Sequence, residues 1–450
     1  MAEQTRLSRR GFIQCATGLT LGAVAFPYVV RPSALGKAGA VAPSERITVG
    51  TVGVGPQGVY VMRNFLSQDD CRVVAVCDLK KPVLEAGRNT VNDYYKNSDC
   101  ATYTDFRELI ARPDIDVVHI ATCDHWHVLV ALEAARAGKD MYLEKPMGLS
   151  LAEDQALREA CHRFGTIFQF GTQQRSERNF RFACELVRNG RIGKLHTINV
   201  WSPGSSSGGS RRPAPAPDWV DYDMWLGPAP YHPHTPDRTS NQWWWFVSDY
   251  ALGFIAGWGV HPLDIALWGG GDELAGPLEI EGKGVWPDPE GICDTAMNWD
   301  VTCRYDSGIR MNYTGTPYPD EWKQRYGRTS DHGTAFEGTD GWVHVDRSGI
   351  NAHAGANNHS PLLDIEWGAN DLRLYESNNH ARNLLDCVKT RKEAICPIDA
   401  SVQADILCHI SDIAIRLEQK LRWDPAREQF VDNDAANRRL VRAMRSPWRL

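Results

Sequence analysis

The 450-residue sequence predicts an α/β protein whose N-terminal part holds a doubly wound parallel sheet. A short apolar segment, 47–52, runs into the glycine pattern G-x-G-x-x-G at 53–58, and a helix-like stretch, 59–66, follows. From residue 72 to residue 170, apolar strand-like and helix-like segments then alternate with short connections. Such alternation produces a parallel sheet with helices on both faces, and ligands bind outside the carboxyl ends of its strands.

The glycine pattern fits a dinucleotide-binding turn. Gly53 would make the tight turn, Gly55 would let the backbone approach a pyrophosphate, and Gly58 would let helix and strand pack closely. The second strand ends at Asp78, at the spacing that the dinucleotide fingerprint requires. This carboxylate would accept hydrogen bonds from the ribose hydroxyls and repel a 2′-phosphate, so NAD is the predicted cofactor. The two lysines at 80–81 keep NADP as the less favoured alternative, and a glycine turn that binds nothing is a second one.

The first 42 residues predict an export signal rather than part of the fold. The segment 8–13, SRRGFI, matches a twin-arginine motif, and a weakly apolar run at 15–30 follows it. That run is short and glycine-rich for a membrane span. We predict cleavage after Ala40 or Ala42, with an uncleaved anchor as the alternative, and a periplasmic or otherwise exported protein without stable membrane insertion.

Composition excludes several other classes of function. The formal net charge is −7, and charges of both signs are spread along the chain, so no basic face for nucleic acid is expected. The 12 cysteines include no C-x-x-C pair, which argues against a disulfide framework and against a structural zinc site. About 410 residues remain after the signal, enough for two domains.

Beyond Asp78, the predicted strands each end in polar residues. Three such clusters follow predicted strands, at 122–127, 144–146 and 171–173. Because the carboxyl ends of parallel strands meet at one edge of a sheet, these clusters should lie together near the cofactor.

The same clusters belong to motifs of a known family. They are Ala121–His127 (ATCDHWH), Glu144-Lys145-Pro146, Trp225-Leu226-Gly227-Pro228, Gly259–Asp264 (GVHPLD), Phe336–Gly341 (FEGTDG) and His380–Asn383. With them, nearly all of the mature chain resembles the Gfo/Idh/MocA oxidoreductases, in the branch that carries twin-arginine signals.

The resemblance implies a domain organisation. We expect an NAD-binding Rossmann domain at 43–170 after the signal at 1–42. A C-terminal α/β domain with an open, mostly antiparallel sheet should follow at 171–376 and serve substrate binding and oligomerisation. A helical tail at 377–450 should return to the first domain. The resemblance further implies a homo-oligomer, a dimer or tetramer.

Lys145 is the predicted catalytic base. Oxidation of a hydroxyl-bearing carbon requires a group that accepts the hydroxyl proton, and a lysine with a pKa lowered by burial can do so. The resemblance places the family's lysine at this position. His261 and Asp264 are three residues apart, so both can share one face of a helix. His261 is then the partner acid or base, and Asp264 the residue that orients it or binds a substrate hydroxyl. A solvated lysine and a core histidine are the structural alternatives.

Besides its catalytic role, Lys145 is assigned to the nicotinamide end of the cofactor, together with four residues that the resemblance places there: Thr122, His127, Glu144 and Gln173. Two departures from the family pattern affect this assignment. Gly257 stands where many relatives carry an aspartate, and Cys123 stands where a proline often follows the threonine. Gly257 removes the carboxylate with which the family's histidine usually pairs, and Cys123 weakens the case for the nicotinamide contact at Thr122.

The C-terminal half is rich in aromatic residues. The chain has 16 tryptophans, and three of them form the run 243–245. Aromatic faces stack on sugar C–H surfaces, so this run predicts either sugar contacts or part of the core. Alternating segments at 297–305 and 309–313 predict an antiparallel hairpin.

Three functions remain. The first is an NAD-dependent oxidoreductase that acts on the CH–OH group of a sugar, polyol or glycoside with a tightly held cofactor. The second is an NAD-dependent glycosidase, which resembles the family's α-N-acetylgalactosaminidase branch and works by oxidation, elimination, hydration and reduction. The third is a binding protein that keeps the dinucleotide only structurally. No metal is predicted, because His125 and His127 lack a third ligand at recognisable spacing.

Overall fold

The computed structural model describes residues 41–327, 330–355 and 361–450. The predicted twin-arginine motif lies outside these residues. A first unit ends at Arg46, and a compact second unit extends from Ile47 to Leu450. In the described part of the chain, no helix combines the length and the apolar character that crossing a membrane requires.

The second unit begins with a six-stranded sheet in which every pair of neighbours is parallel. Its strands alternate with helices in the order β1 (Ile47–Val52), α1 (Pro56–Leu66), β2 (Cys71–Cys77), α2 (Lys81–Tyr95), β3 (Ala101–Tyr103), α3 (Phe106–Ile110), β4 (Val117–Ile120), α4 (Asp124–Arg136), β5 (Asp140–Leu143), α5 (Leu151–Phe164) and β6 (Phe168–Phe170).

The spatial order of these strands is β3-β2-β1-β4-β5-β6. Successive strands are added on one side of β1 up to β3 and on its other side from β4 onward. This switch creates a crevice at the carboxyl ends of β1 and β4. The predicted doubly wound parallel sheet is confirmed. Helix α4 begins at Asp124, and three polar residues, Asp124, His125 and His127, are buried in its first turn.

The rest of the chain forms a nine-stranded mixed sheet with helices. Its elements are α6 (Arg178–Arg188), β7 (Leu195–Ser202), α7 (Tyr222–Leu226), α8 (Phe254–Gly257), α9 (Val260–Gly270), β8 (Leu278–Val285), β9 (Asn298–Tyr305), β10 (Arg310–Gly315), α10 (Asp320–Tyr326), β11 (Gly333–Gly338), β12 (Gly341–Asp346), β13 (Gly349–Ala354), α11 (His380–Thr390), α12 (Ile398–Leu417), β14 (Leu421–Asp424), β15 (Gln429–Phe430) and α13 (Asp434–Asn437).

This second sheet has the order β13-β12-β11-β7-β10-β9-β8-β14-β15. All neighbours are antiparallel except β7 and β10, so the expected open, mostly antiparallel sheet is confirmed. The predicted hairpin is β9 with β10.

The C-terminal segment joins the two sheets. Leu384 and Leu385 of α11 are buried in one cluster with Val49 and Phe65 of the parallel-sheet domain. Helix α12 contacts both α5 and β8. The segment is not purely helical, because β14 and β15 complete the edge of the second sheet. Burial of α11 and α12 against both sheets fixes the relative position of the two domains within this unit.

Candidate active site

A cavity of about 760 Å³ opens at the carboxyl ends of the parallel strands. Its wall on the opposite side comes from the segment 224–258, from α9 and from the turn after β12. Of the residues predicted from sequence, all but Asp264 line this cavity: Gly53, Gly55, Gly58, Asp78, Thr122, His127, Glu144, Lys145, Gln173 and His261.

The three glycine positions of the first turn differ in what a side chain there would meet. Gly53 has a φ of +86°, and a Cβ there would collide with the carbonyl group of Ala121. A Cβ on Gly58 would collide with the carbonyl oxygen of Gly53. A Cβ on Gly55 would meet no atom within 4 Å. The fold therefore requires the first and third glycines, whereas Gly55 faces open space that suits a pyrophosphate at the N-terminus of α1.

Asp78 closes the other side of this turn. Its carboxylate accepts hydrogen bonds from the backbone N–H of Val54 (3.1 Å) and of Lys80 (2.9 Å). Burial raises the pKa of Asp78, and these backbone donors oppose the shift. The ammonium of Lys80 donates to the carbonyl oxygen of Thr239 and is thereby occupied. The Asp78 carboxylate would repel a 2′-phosphate, which supports NAD rather than NADP.

Glu144 and Lys145 follow β5 and lie side by side in the cavity. The Glu144 carboxylate accepts hydrogen bonds from the amides of Gln57 and Gln173, each at 3.1 Å. Burial raises the pKa of Glu144. The Lys145 amine donates to the carbonyl oxygen of Gly257 at 2.8 Å. Burial lowers the pKa of Lys145, while the carboxylates of Glu144 and Asp124 act in the opposite direction.

Gly257, the departure from the family pattern, lies beside this amine. A Cβ there would have only Phe254 Cδ1 within 4 Å, at 3.7 Å, which is ordinary van der Waals contact. A side chain would therefore fit, and packing does not force a glycine at this position. The acceptor for Lys145 is instead a neutral main-chain carbonyl.

His261 and Asp264 do not act as a pair. His261 is buried in the cavity wall, and its Nδ1 has no hydrogen-bond partner among the described residues. Burial, with the positive charges of Lys145 and Arg347, lowers the pKa of His261 well below its usual value, so the imidazole is neutral.

The two carboxylate oxygens of Asp264 accept hydrogen bonds from the Arg175 guanidinium at 2.6 and 2.8 Å. Both side chains are buried. The structure thus places the Asp264 carboxylate on a buried arginine, outside the cavity lining, and does not support the expectation that Asp264 orients His261 or binds substrate. Arg175 was not identified from the sequence, although it directly follows the polar cluster 171–173.

His127 connects the Thr122 loop to the lysine turn. Its Nδ1 lies 2.7 Å from the carbonyl oxygen of Pro146, and its Nε2 lies 3.2 Å from that of Thr122. Burial lowers the pKa of His127 to about 4, so the ring is neutral and carries one N–H. The shorter distance favours donation from Nδ1 to Pro146. His127 thus fixes the backbone around Lys145.

A second buried cluster supports this turn from the C-terminal domain. Asp405 of α12 accepts hydrogen bonds from the backbone N–H of Met147 (3.0 Å) and of Gly148 (3.4 Å). His409 Nε2 lies 3.0 Å from Asp154 Oδ2 and 3.6 Å from Asp405 Oδ2. Burial and the nearby Asp154 carboxylate raise the pKa of Asp405 to about 8. Side chains of α12 therefore hold the segment that follows Lys145.

The tryptophan run divides between the core and the cavity. Trp244 is buried and stacks on Trp245, with ring centroids 4.0 Å apart. Trp245 is half-buried, and its ring centroid lies 5.7 Å from the Lys145 amine. Trp243 is not part of the cavity lining. Trp244 and Trp245 thus both line the cavity, and Trp245 lies beside the Lys145 amine.

Trp258 and Arg347 are among the cavity residues that the sequence did not identify. Trp258 packs edge-on against His261, with ring centroids 5.6 Å apart. The Arg347 guanidinium lies 4.6 Å from the centroid of the Trp258 ring. Neither residue belongs to a recognisable motif. Trp258 lies in the loop before α9 and Arg347 in the turn after β12, so only the tertiary structure brings them together.

Comparison with known proteins agrees with this geometry. Residues 47–172 match the family model described as an oxidoreductase family, NAD-binding Rossmann fold. Residues 198–338 and 359–450 match the companion model, an oxidoreductase family, C-terminal alpha/beta domain. The first match confirms NAD as the predicted cofactor.

Two groups of curated proteins share part of the sequence. The chain is 29% identical over 174 residues to myo-inositol 2-dehydrogenase of Thermotoga maritima. The matched segment covers 39% of this chain and 47% of that relative. It is 34% identical over 132 residues to glycosyl hydrolase family 109 protein 2 of Shewanella sp. MR-4. This matched segment covers 27% of this chain and 28% of the relative. These matches span less than half of either relative.

Solved structures share the fold at low sequence identity. WlbA dehydrogenase of Bordetella pertussis, in complex with NADH and UDP-GlcNAcA, superposes with a TM-score of 0.61 at 16% identity, covering 83% of this chain and 98% of that chain. Aldose-aldose oxidoreductase of Caulobacter crescentus gives a TM-score of 0.60 at 18% identity, covering 84% and 99%.

Proposed function

We propose a function from one premise, which is that the chain belongs to the Gfo/Idh/MocA oxidoreductase family. The protein is an NAD-dependent oxidoreductase that acts on the CH–OH group of a sugar, polyol or glycoside. The observation that carries this proposal is the Lys145 amine, which lies in the cavity with a lowered pKa and a single described hydrogen bond, to a neutral carbonyl.

The glycine turn and Asp78 are the residues that would hold the cofactor. Gly55 leaves space for the pyrophosphate, and Asp78 accepts hydrogen bonds from the adenosine ribose. Thr122, Glu144 and Gln173 lie in the part of the cavity that would receive the nicotinamide. When bound, NAD supplies the hydride acceptor.

Lys145 performs the proton transfer. Its neutral amine accepts the proton of the substrate hydroxyl as the hydride departs, and in the reverse direction the ammonium returns that proton to the carbonyl oxygen. The neutral imidazole of His261 offers a second hydrogen-bonding group from the opposite wall. Trp245 and Trp258 provide apolar faces on which the C–H surface of a sugar can stack.

The predicted export signal would constrain how the cofactor is used. We infer that residues 1–42 direct the folded protein through the twin-arginine pathway into a compartment without a free NAD pool. The cofactor is then held tightly, and it is reduced and reoxidised within one catalytic cycle. A second sugar takes the hydride back. We further propose that the protein works as a homo-oligomer.

The decisive experiment uses protein purified without added NAD. After denaturation it should release a dinucleotide, and a panel of single sugars should include one that reduces the bound cofactor, seen at 340 nm. Adding a second, oxidised sugar should restore the oxidised cofactor. Loss of the dinucleotide on gel filtration, with turnover proportional to added NAD, would show an ordinary exchanging dehydrogenase instead.

A redox-neutral glycosidase is the second candidate, because the chain also matches glycosyl hydrolase family 109 proteins. Here oxidation acidifies the neighbouring C–H, the aglycone is eliminated, water adds, and the hydride returns to the same sugar. Release of p-nitrophenol from aryl glycosides, with no net change at 340 nm and with solvent deuterium in the sugar, would favour this candidate. If neither sugars nor glycosides react while NAD stays bound, a binding role gains support.

A further inference from the structure

Arg347 is a cation in the cavity wall that no carboxylate neutralises directly. It occupies the turn between β12 and β13 and lines the same cavity as Lys145 and His261. Within 41–327, 330–355 and 361–450, its guanidinium forms no salt bridge and no hydrogen bond, and Glu177 is the carboxylate whose charge acts on it most strongly. Its donors are therefore available to a ligand.

Hydrogen bonds within the turn define the backbone that carries Arg347, which is itself exposed. Asp346 is buried, and its Oδ1 accepts hydrogen bonds from the backbone N–H of Ser348 (2.7 Å) and of Gly349 (3.0 Å). The Trp258 ring lies 4.6 Å from the guanidinium carbon, and the same ring packs against His261. A ligand group bound by Arg347 would thus belong to a molecule that also reaches His261.

Electrostatics connect Arg347 to the proposed catalytic pair. Its positive charge contributes to the lowered pKa of both Lys145 and His261. The same charge acts on Glu177, an exposed residue at the rim of the cavity. Burial raises the pKa of Glu177, and the Arg347 charge opposes that shift. The Arg347 charge thus disfavours protonation of Lys145, and an anionic group on the substrate would offset that effect.

We propose that Arg347 forms an anion subsite, so that the substrate is a sugar bearing a carboxylate or a sulfate ester. This inference rests on the proposed function and specifies its substrate class. A guanidinium presents a planar fork of donors that matches a carboxylate or sulfate in a bidentate manner, and a lysine ammonium does not.

The test compares paired ligands on the NAD-loaded protein. Glucose is paired with glucuronate, galactose with galacturonate, and N-acetylglucosamine with its 6-sulfate. Binding is measured by calorimetry, and reduction of the bound cofactor by absorbance at 340 nm. Because a charge-assisted hydrogen bond of this kind contributes a factor of about ten or more, one acidic member should be favoured over its neutral partner by at least about tenfold. The uronates and the sulfate ester distinguish the two sources of the anion.

Three variants complete the experiment. Arg347→Met should abolish the acid-over-neutral ratio, and Arg347→Lys should retain only part of it. The control Arg439→Met removes the same charge from an exposed residue outside the cavity lining and should leave the ratio as in the wild type.

Two outcomes would overturn the inference. One is that neutral sugars bind and react while no acidic partner is favoured, which leaves the proposed oxidoreductase function intact. The other is that Arg347→Met shifts the pH profile of turnover but not the acid-over-neutral ratio, which would make Arg347 a positioning residue for Lys145. If no sugar reduces the cofactor, the proposed function fails, and calorimetric binding of the acids still decides on the subsite.

Discussion

Replacing Lys145 by methionine tests the centre of the proposed mechanism. Methionine keeps a similar length and apolar stem but removes the amine. The lost hydrogen bond to the Gly257 carbonyl costs about 1 kcal/mol, and removal of a desolvated amine offsets part of that cost. The melting temperature should therefore change by no more than about 4 °C. Loss of a general base should lower kcat by about 10²- to 10⁴-fold.

The pH dependence gives an independent check. Burial lowers the pKa of Lys145, so its amine becomes a competent base below the pH at which an exposed lysine loses its proton. We expect kcat/KM of the wild type to fall as the pH drops through this lowered pKa. Lys145→Arg keeps the charge but stays protonated throughout, and it should be inactive at every pH.

The assay follows turnover, NAD content and melting temperature on the same preparations. Both variants should retain bound NAD, because Lys145 acts on the substrate hydroxyl. The reasoning is refuted if Lys145→Met keeps more than about a tenth of wild-type turnover, since a general base contributes far more than that. Loss of NAD together with activity would instead assign the lysine to cofactor binding.

Three other changes separate fold from function. Gly55→Ala should fold and weaken NAD binding at least about tenfold, whereas Gly58→Ala should lose stability because its Cβ meets a carbonyl oxygen; equal NAD affinity in Gly55→Ala, by calorimetry, would contradict the pyrophosphate assignment. Asp78→Asn should reduce the preference for NAD over NADP, measured as the ratio of dissociation constants, and an unchanged ratio would argue against a ribose contact. Asp264→Asn leaves Arg175 as a buried unpaired charge and should cost about 3–5 kcal/mol in thermal unfolding, whereas a lower kcat with unchanged stability would restore Asp264 to catalysis.

The sequence by itself determined the cofactor turn and the position of the reactive lysine. The Gly58 requirement depends on contact with Gly53, five residues away, so strand, turn and helix are specified locally. The position of Lys145 and Asp78 at the same edge of the sheet follows from βα alternation, because parallel strands place their carboxyl ends at one side of the sheet. These features required no knowledge of distant contacts.

Only the tertiary structure decided what surrounds that lysine. Gly257 accepts its hydrogen bond across 112 residues of sequence, and Arg175 binds Asp264 across 89. The i, i+3 spacing allowed His261 and Asp264 to share a helix face, but packing of α9 directs only His261 into the cavity. Arg347 reaches the site through the register of β12 and β13. Such contacts depend on how the second sheet packs against the first, and this packing results from many weak apolar contacts spread over the chain, which no short motif encodes.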